Sequence, residues 1–326
     1  MGLLKNTVAC VGLLTAAGAG ETAYFYRRTM MRNNAKVERT MKMSGTDWSV
    51  YAPLLEERKT FMMAQPHKEV HQRSFDGLKL HATYFPPINE QAGGKKVAIC
   101  FHGYTSKGMS DYIGLSDYYL KKGYGMLLPD ARAHGESEGT YIGFGCLDRK
   151  DALVWMKWVI EECGEDVEII LHGTSMGGAT VLMASGLELP PQVKGIVSDC
   201  GFTSPKEVFT HVLNTMYHLP AFPVIQAADV VNRKLAGYGM DECNAKREVQ
   251  KAKVPILFIH GSKDTFVPFR MCHELYDNCA SPKKKLIVEG AAHAESYYKD
   301  PEKYEEALTT FFEELKENEA EGKGIG

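Results

Sequence analysis

The chain has 326 residues, 44% of them hydrophobic and 24% charged, with a formal net charge of -3 at pH 7. This composition suits a globular enzyme with one large core, or a core plus a small lid, and argues against disorder. The near-balanced charge leaves no domain-wide basic surface for a phosphate backbone, which argues against a nucleic-acid binder.

Thr7 to Gly20 is apolar or small apart from two threonines, Glu21 interrupts, and Tyr24, Phe25 and Tyr26 precede Arg27 and Arg28. Residues 1–26 therefore read as a membrane anchor or an uncleaved signal segment. A spanning helix needs about 20 residues, and Asn6 to Tyr26 meets that if Glu21 lies near an interface with Tyr24 and Tyr26 as an aromatic belt. A signal peptide cleaved at Ala17-Gly18-Ala19 is the rival. Arg27, Arg28, Arg32, Lys36, Arg39 and Lys42 follow with only Glu38 opposing them, which by the positive-inside tendency predicts a cytoplasmic catalytic part. Eight cysteines without paired or metal-like spacing read as buried free thiols, in agreement with a reducing compartment.

Residues 27–66 read as a basic juxtamembrane connector with a short helix. His67 to Phe75 and Leu78 to Phe85 alternate in polarity and are joined by Asp76-Gly77, which predicts a hairpin. Six short apolar runs follow: Val97 to Phe101, Gly125 to Pro129, Val167 to Leu171, Val193 to Ser198, Ile256 to His260, and Lys285 to Glu289. Helical stretches separate them, one marked by Ala152, Trp155, Met156, Val159 and Ile160. Strands alternating with helices predict a mostly parallel sheet covered on both faces, with the hairpin adding antiparallel strands at one end.

The interval Phe202 to Lys253 is too long for a simple crossover and reads as an insertion. Ser204-Pro205-Lys206-Glu207 is a capping box with proline at the first helical position, and Phe209, Leu213 and Met216 then recur along one face. Val224, Ala228, Val231 and Leu235 mark a second helix after Pro220 and Pro223. Helices inserted over strand ends suit a lid, and Phe202, Phe209, Leu213, Met216, Phe222 and Phe266 are candidate pocket residues. Packing of these stripes onto the sheet is the competing reading. A charged tail follows Phe312, flexible over residues 319–326.

The chemistry centres on Gly173-Thr174-Ser175-Met176-Gly177-Gly178, between the run Val167 to Leu171 and an apolar segment from Ala179. That pattern is a strand, a tight turn and a helix, and it fits the G-x-S-x-G elbow that exposes a serine at a helix N-terminus. There Met176 N–H could meet a developing oxyanion. In a doubly wound sheet, ligands bind at the carboxyl ends of the strands. After the six runs come His102-Gly103-Tyr104-Thr105, Asp130, the serine turn, Asp199, Gly261 to Asp264, and Gly290-Ala291-Ala292-His293. Ser, Asp and His thus fall in that order at one sheet edge, with Asp264 preferred over Asp199 as the acid on strand position. His102, His134, His172 and His260 read as structural or loop-organising.

These motifs, with Asp130-Ala131-Arg132-Ala133-His134-Gly135-Glu136-Ser137 and His260 to Pro268, resemble the α/β-hydrolase superfamily over His67 to Leu315. The resemblance is nearest to its lid-bearing, serine-aminopeptidase-like and monoacylglycerol-lipase-like branch, which includes membrane-anchored bacterial hydrolases. It implies an α/β-hydrolase fold: an eight-stranded, mostly parallel sheet flanked by helices, with a helical lid at 202–253, before the strand preceding the acid. It also implies Ser175 as nucleophile, His293 as base, Asp264 as acid, and the N–H groups of Tyr104 and Met176 as oxyanion hole. Ala133 departs from the pattern, because such proteins often carry glycine there. The expected function is a membrane-anchored serine hydrolase acting on a small-molecule ester, possible on a thioester or amide, without metal, nucleotide or other cofactor. An aminopeptidase-like peptidase and a non-catalytic binding protein on the same scaffold are the alternatives.

Overall fold

The structure, a computed structural model, describes residues 20, 23, 24, 26–32, 45–88 and 95–320. A short 3-10 turn, Trp48–Tyr51, leads into α1 (Ala52–Met63), and the hairpin follows as β1 (Lys68–Arg73) and β2 (Lys79–Phe85). Gly77 takes the positive φ of 91° at its tip, a conformation open to glycine at no steric cost. The remaining strands are β3 (Lys96–Phe101), β4 (Tyr124–Pro129), β5 (Glu168–Thr174), β6 (Val193–Asp199), β7 (Ile256–Gly261) and β8 (Lys283–Val288). All eight join one sheet in the order β1-β2-β4-β3-β5-β6-β7-β8. The β1–β2 and β2–β4 pairs are antiparallel, and every other neighbour is parallel.

Because both faces are covered, the central strands are buried along nearly their whole length, and alternate residues enter opposite cores. Val97, Ile99 and Phe101 of β3 join the core that holds Trp155 and Met156, whereas Ala98 and Cys100 join the one that holds Tyr112, Tyr119 and Tyr304. The first face is covered by α4 (Asp148–Cys163), which carries the predicted stripe, and the second by α2 (Gly108–Tyr112), α3 (Ser116–Lys121) and the final helix α11 (Pro301–Ala320). The chain does not turn to tail after Phe312: α11 runs on to Ala320, with Leu308, Phe311, Phe312 and Leu315 buried at helical spacing. The helix α5 (Met176–Ala184) follows β5, and α9 (Phe269–Asn278) and α10 (Ser296–Lys299) complete the second half.

Between β6 and β7 the chain forms α6 (Pro205–Thr215), α7 (Val224–Leu235) and α8 (Ala245–Glu248). Half of the capping box is present: Glu207 N–H donates to Ser204 Oγ at 3.2 Å, while the Glu207 carboxylate takes the Thr203 hydroxyl instead of reaching back. On α7 the buried residues are Ile225, Ala228 and Asn232, with Val224 and Val231 half-buried against the same core; of the expected stripe only Leu235 turns outward, 51% exposed. An apolar stripe passes over Asn232, which is buried as a partnered amide, accepting from Tyr26 Oη at 3.0 Å and donating to the Tyr238 carbonyl at 2.8 Å.

The same contact corrects the reading of the N-terminal segment. Tyr26 and Met30 are 5% and 1% exposed, and Met31 bridges Tyr141. Tyr26 is therefore a core residue, not part of an interfacial belt, and 26–32 is docked on the domain. Most of the expected span Asn6 to Tyr26 lies outside the described residues, and among the described residues no helix is long and apolar enough to cross a membrane. Six of the seven described cysteines are buried, Cys163 is half-buried, and all seven are free thiols.

Candidate active site

Strand order reverses at β3 and β5, since the chain leaves β3 to one side for β4 and returns to the other for β5. This is the switch point at which loops splay and a ligand can enter. Ser175 sits there, between the end of β5 and the start of α5, with φ 56° and ψ -110°. A non-glycine residue in that region carries strain, held only where its surroundings leave no alternative. Two glycines supply the room: a Cβ on Gly173 would lie 2.0 Å from the Gly177 carbonyl oxygen, and one on Gly177 would lie 1.8 Å from that of Phe101.

The loop after β8 brings His293 to Ser175, with Nε2 2.8 Å from Oγ. Its Nδ1 lies 2.7 Å from Oδ2 of Asp264, which follows β7. The other Asp264 oxygen accepts the N–H groups of Phe266 and Val267, both at 2.9 Å. This set fixes the tautomer: Nδ1 carries its proton toward the carboxylate and Nε2 is free to accept from the serine. Burial works against the Asp264 charge, but His293 and His260 hold its carboxyl well below the usual range. His260 is raised in return: burial opposes its charge, and Asp264 outweighs that. A serine hydroxyl bonded to an oriented imidazole with a carboxylate behind it has the parts needed for nucleophilic attack.

Asp199 does not join this line. Its Oδ1 accepts from Ser296 Oγ at 3.2 Å and its Oδ2 from Tyr304 Oη at 3.1 Å, and burial pushes its pKa up to about 6. Tyr304 Oη also accepts from His172 Nε2 at 3.1 Å, and Tyr119 Oη donates to His172 Nδ1 at 2.8 Å. Burial pushes His172 down to about 3, so this relay is neutral at the histidine.

The loop after β3 is tied on both sides of Tyr104. Gly103 N–H donates to Asp111 Oδ2 at 2.6 Å, and Thr105 N–H to His134 Nε2 at 3.3 Å. His102 Nε2 accepts the Ala131 N–H at 2.9 Å, fastening this loop to the one after β4. The Tyr104 ring stacks on Phe144 with centroids 5.2 Å apart, and its hydroxyl donates to the Thr29 carbonyl at 3.1 Å. Met176 opens α5, where a helix supplies no acceptor for its first N–H groups. The loop after β4 is ordered by Asp130, which accepts from Gly108 N–H at 3.0 Å, Glu136 N–H at 2.9 Å and His81 Nδ1 at 2.8 Å. Ala133 adopts φ 62° there, a left-handed position that suits glycine.

A cavity of about 310 Å³ adjoins Ser175 and His293, with Trp48, Leu55, Phe266 and Tyr298 among its walls. Of the six candidate pocket residues, Phe266 lines it. Phe202 and Leu213 are buried in the main core, Phe209 packs edge-on against Phe144 at 4.8 Å, Met216 is half-buried, and Phe222 is 72% exposed. No residue of the insertion lines this cavity. Trp48, Leu55 and Tyr298 escaped the sequence reading because none sits on a periodic stripe or beside a strand end.

Residues 97–233 match the family described as alpha/beta hydrolase fold. Among curated proteins, the uncharacterized protein YqkD of Bacillus subtilis is 27% identical over 222 residues, 68% of this chain and 72% of that protein. The lysophosphatidylserine lipase ABHD12 of Danio rerio is 26% identical over 191 residues, 57% of this chain and 48% of that protein. Among solved structures, an esterase of Pyrococcus furiosus is similar with a TM-score of 0.62 and 22% identity, over 77% of this chain and 92% of the esterase.

Proposed function

Because the chain belongs to the α/β-hydrolase superfamily, we propose that it is a serine hydrolase that cleaves a small-molecule carboxylic ester through an acyl-enzyme on Ser175, with a thioester or amide as related substrates. The observation that carries this reading is the continuous line from Ser175 Oγ through His293 to Asp264, at 2.8 and 2.7 Å. In this mechanism His293 Nε2 takes the hydroxyl proton as Oγ attacks the carbonyl carbon, then returns it to the departing alcohol. Asp264 stays ionised, keeps Nδ1–H oriented and stabilises the imidazolium. The N–H groups of Tyr104 and Met176 receive the oxyanion. Water then repeats the cycle and releases the acid. The names of two similar proteins, an esterase and a lipase, accord with ester hydrolysis. Peptidase action is the second reading, favoured by the two carboxylates, Asp111 and Asp199, that line the cavity and suit a substrate amino group.

In the same reading, the apolar residues before Tyr26 hold the enzyme at a membrane and the basic residues that follow keep the hydrolase on the cytoplasmic side. Membrane fractionation of the full chain beside one lacking residues 1–24 tests that part; equal recovery of both in the soluble fraction would sink it.

The catalytic assignment is tested by fluorophosphonate labelling with an ester-hydrolysis assay. Wild type is expected to label and turn over, and Ser175→Ala to do neither while keeping its circular dichroism spectrum. Labelling that survives Ser175→Ala overturns the assignment.

A further inference from the structure

The cavity beside Ser175 has a charge pattern that ester hydrolysis does not require. Asp111 and Asp199 line it, and no lysine or arginine does. Asp111 Oδ2 and Ser175 Cβ lie 3.3 and 3.4 Å from the point where a side chain on Gly103 would begin, so carboxylate and nucleophile flank the same glycine. The partners of Asp111 are neutral: the Gly103 N–H at 2.6 Å and the Ser106 hydroxyl. Those of Asp199 are the hydroxyls of Ser296 and Tyr304. Charges withdrawn from water are ordinarily paired; His260 and His293 favour the charge of Asp199, whereas among the described residues Asp111 has no cationic partner. Aromatic rings supply much of the remaining wall. Trp48 and Tyr298 stand edge to face with centroids 5.2 Å apart, and Tyr297 adjoins Tyr298 at 5.3 Å. Aromatic faces attract cations, most strongly where water is excluded.

We propose that this cavity receives a cationic head group of the substrate, an ammonium or quaternary ammonium, held by Asp111 and Asp199 and by the rings of Trp48 and Tyr298. The inference rests on Ser175 being the acylated residue and names the charge class of what it acts on. A cation supplies Asp111 with the counter-charge that it lacks among the described residues, whereas a phosphate or carboxylate in the same space would face two carboxylates and no lysine or arginine. Asp111 has a second task, since it also holds the Gly103 N–H of the loop that carries Tyr104. The test must therefore read a ratio between substrates, in which damage to that loop cancels.

The experiment compares kcat/KM for three acetates on one linker: trimethylammoniopropyl acetate, its carbon isostere with a tert-butyl head, and sulfopropyl acetate. The cationic ester is expected to exceed its isostere roughly ten- to hundredfold, and the sulfonate to be the poorest. The doubly substituted chain Asp111→Asn, Asp199→Asn should bring the cationic and neutral esters to parity, and Trp48→Leu should narrow their ratio. An arm with aminoacyl esters of a neutral alcohol beside their deaminated counterparts shows whether the cation sits in the acyl or the leaving half; a preference in either supports the inference. Equal rates for charged and neutral esters in both arms overturn it while leaving the esterase reading intact, as does a preference that survives in the double variant. No turnover of any ester, with no fluorophosphonate labelling, removes the esterase reading and the inference together.

Discussion

The backbone N–H of Ser175 donates to the carbonyl oxygen of Asp199 at 2.8 Å, which fastens the strained serine turn to the carboxyl end of β6. Asp199 thus supports Ser175 through its main chain while its carboxylate points its bonds elsewhere, to Ser296 and Tyr304. The two acids that are nearly equivalent in sequence have separate partners in the structure.

The first prediction follows from that separation. Asp264→Asn should lower kcat by about three to four orders of magnitude, because an amide favours the wrong imidazole tautomer and removes the counter-charge. Asp199→Asn on a neutral ester should cost about tenfold or less, since its backbone carbonyl is retained. Single-turnover acylation rates decide it, and a larger loss at Asp199 would transfer the role.

A second prediction concerns stability. Burial raises Asp199 from 3.8 to about 6, so the folded state prefers the protonated form. A raised carboxyl contributes stability below its unfolded pKa and loses it as pH climbs through the folded value. Asp199→Asn should therefore be more stable than wild type at pH 8, by up to about 3 kcal/mol, with the advantage fading towards pH 4. Urea denaturation at several pH values measures this, and a difference that does not change with pH would refute the assignment.

A third prediction tests the close approach under the Ser175 turn. Gly177→Ala places a methyl 1.8 Å from the Phe101 carbonyl oxygen, and backbone on both sides prevents an easy shift. A loss of about 3 kcal/mol or more is expected, with fluorophosphonate labelling falling alongside. Gly164→Ala is the contrast: nothing lies near its Cβ, and only its φ of +99° is strained, so activity should persist.

A fourth prediction separates an anchor from a docked segment. Truncation before Tyr26 should leave thermal stability and ester turnover near wild type, whereas truncation through Arg32 removes buried Tyr26 and Met30 and the carbonyl that holds Tyr104. Loss of Met30 alone, as Met30→Ala, should cost about 2 to 4 kcal/mol. Equal melting temperatures for the two truncations would mean that 26–32 contributes nothing to the fold.

The strands, their parallel order and the serine turn were legible in the residues themselves, because each rests on a local rule. Alternation, apolar runs between helices and small residues around Ser175 report on short-range sterics and on burial of two sheet faces. Ser175, His293 and Asp264 could be proposed together because strand ends share one edge of a parallel sheet. The wall of the cavity is a different matter. Trp48, Asp111 and Tyr298 come from three segments far apart in the chain, and nothing local requires them to meet. Only packing of the N-terminal segment against the loop after β8, through Thr46 Oγ1 to the His293 carbonyl at 2.9 Å and Tyr51 Oη to Glu295 at 2.7 Å, sets that wall. The buried amide Asn232 and the docked Tyr26 were hidden for the same reason: whether a polar side chain goes inside depends on a partner 206 positions away, and a local pattern has no access to that distance.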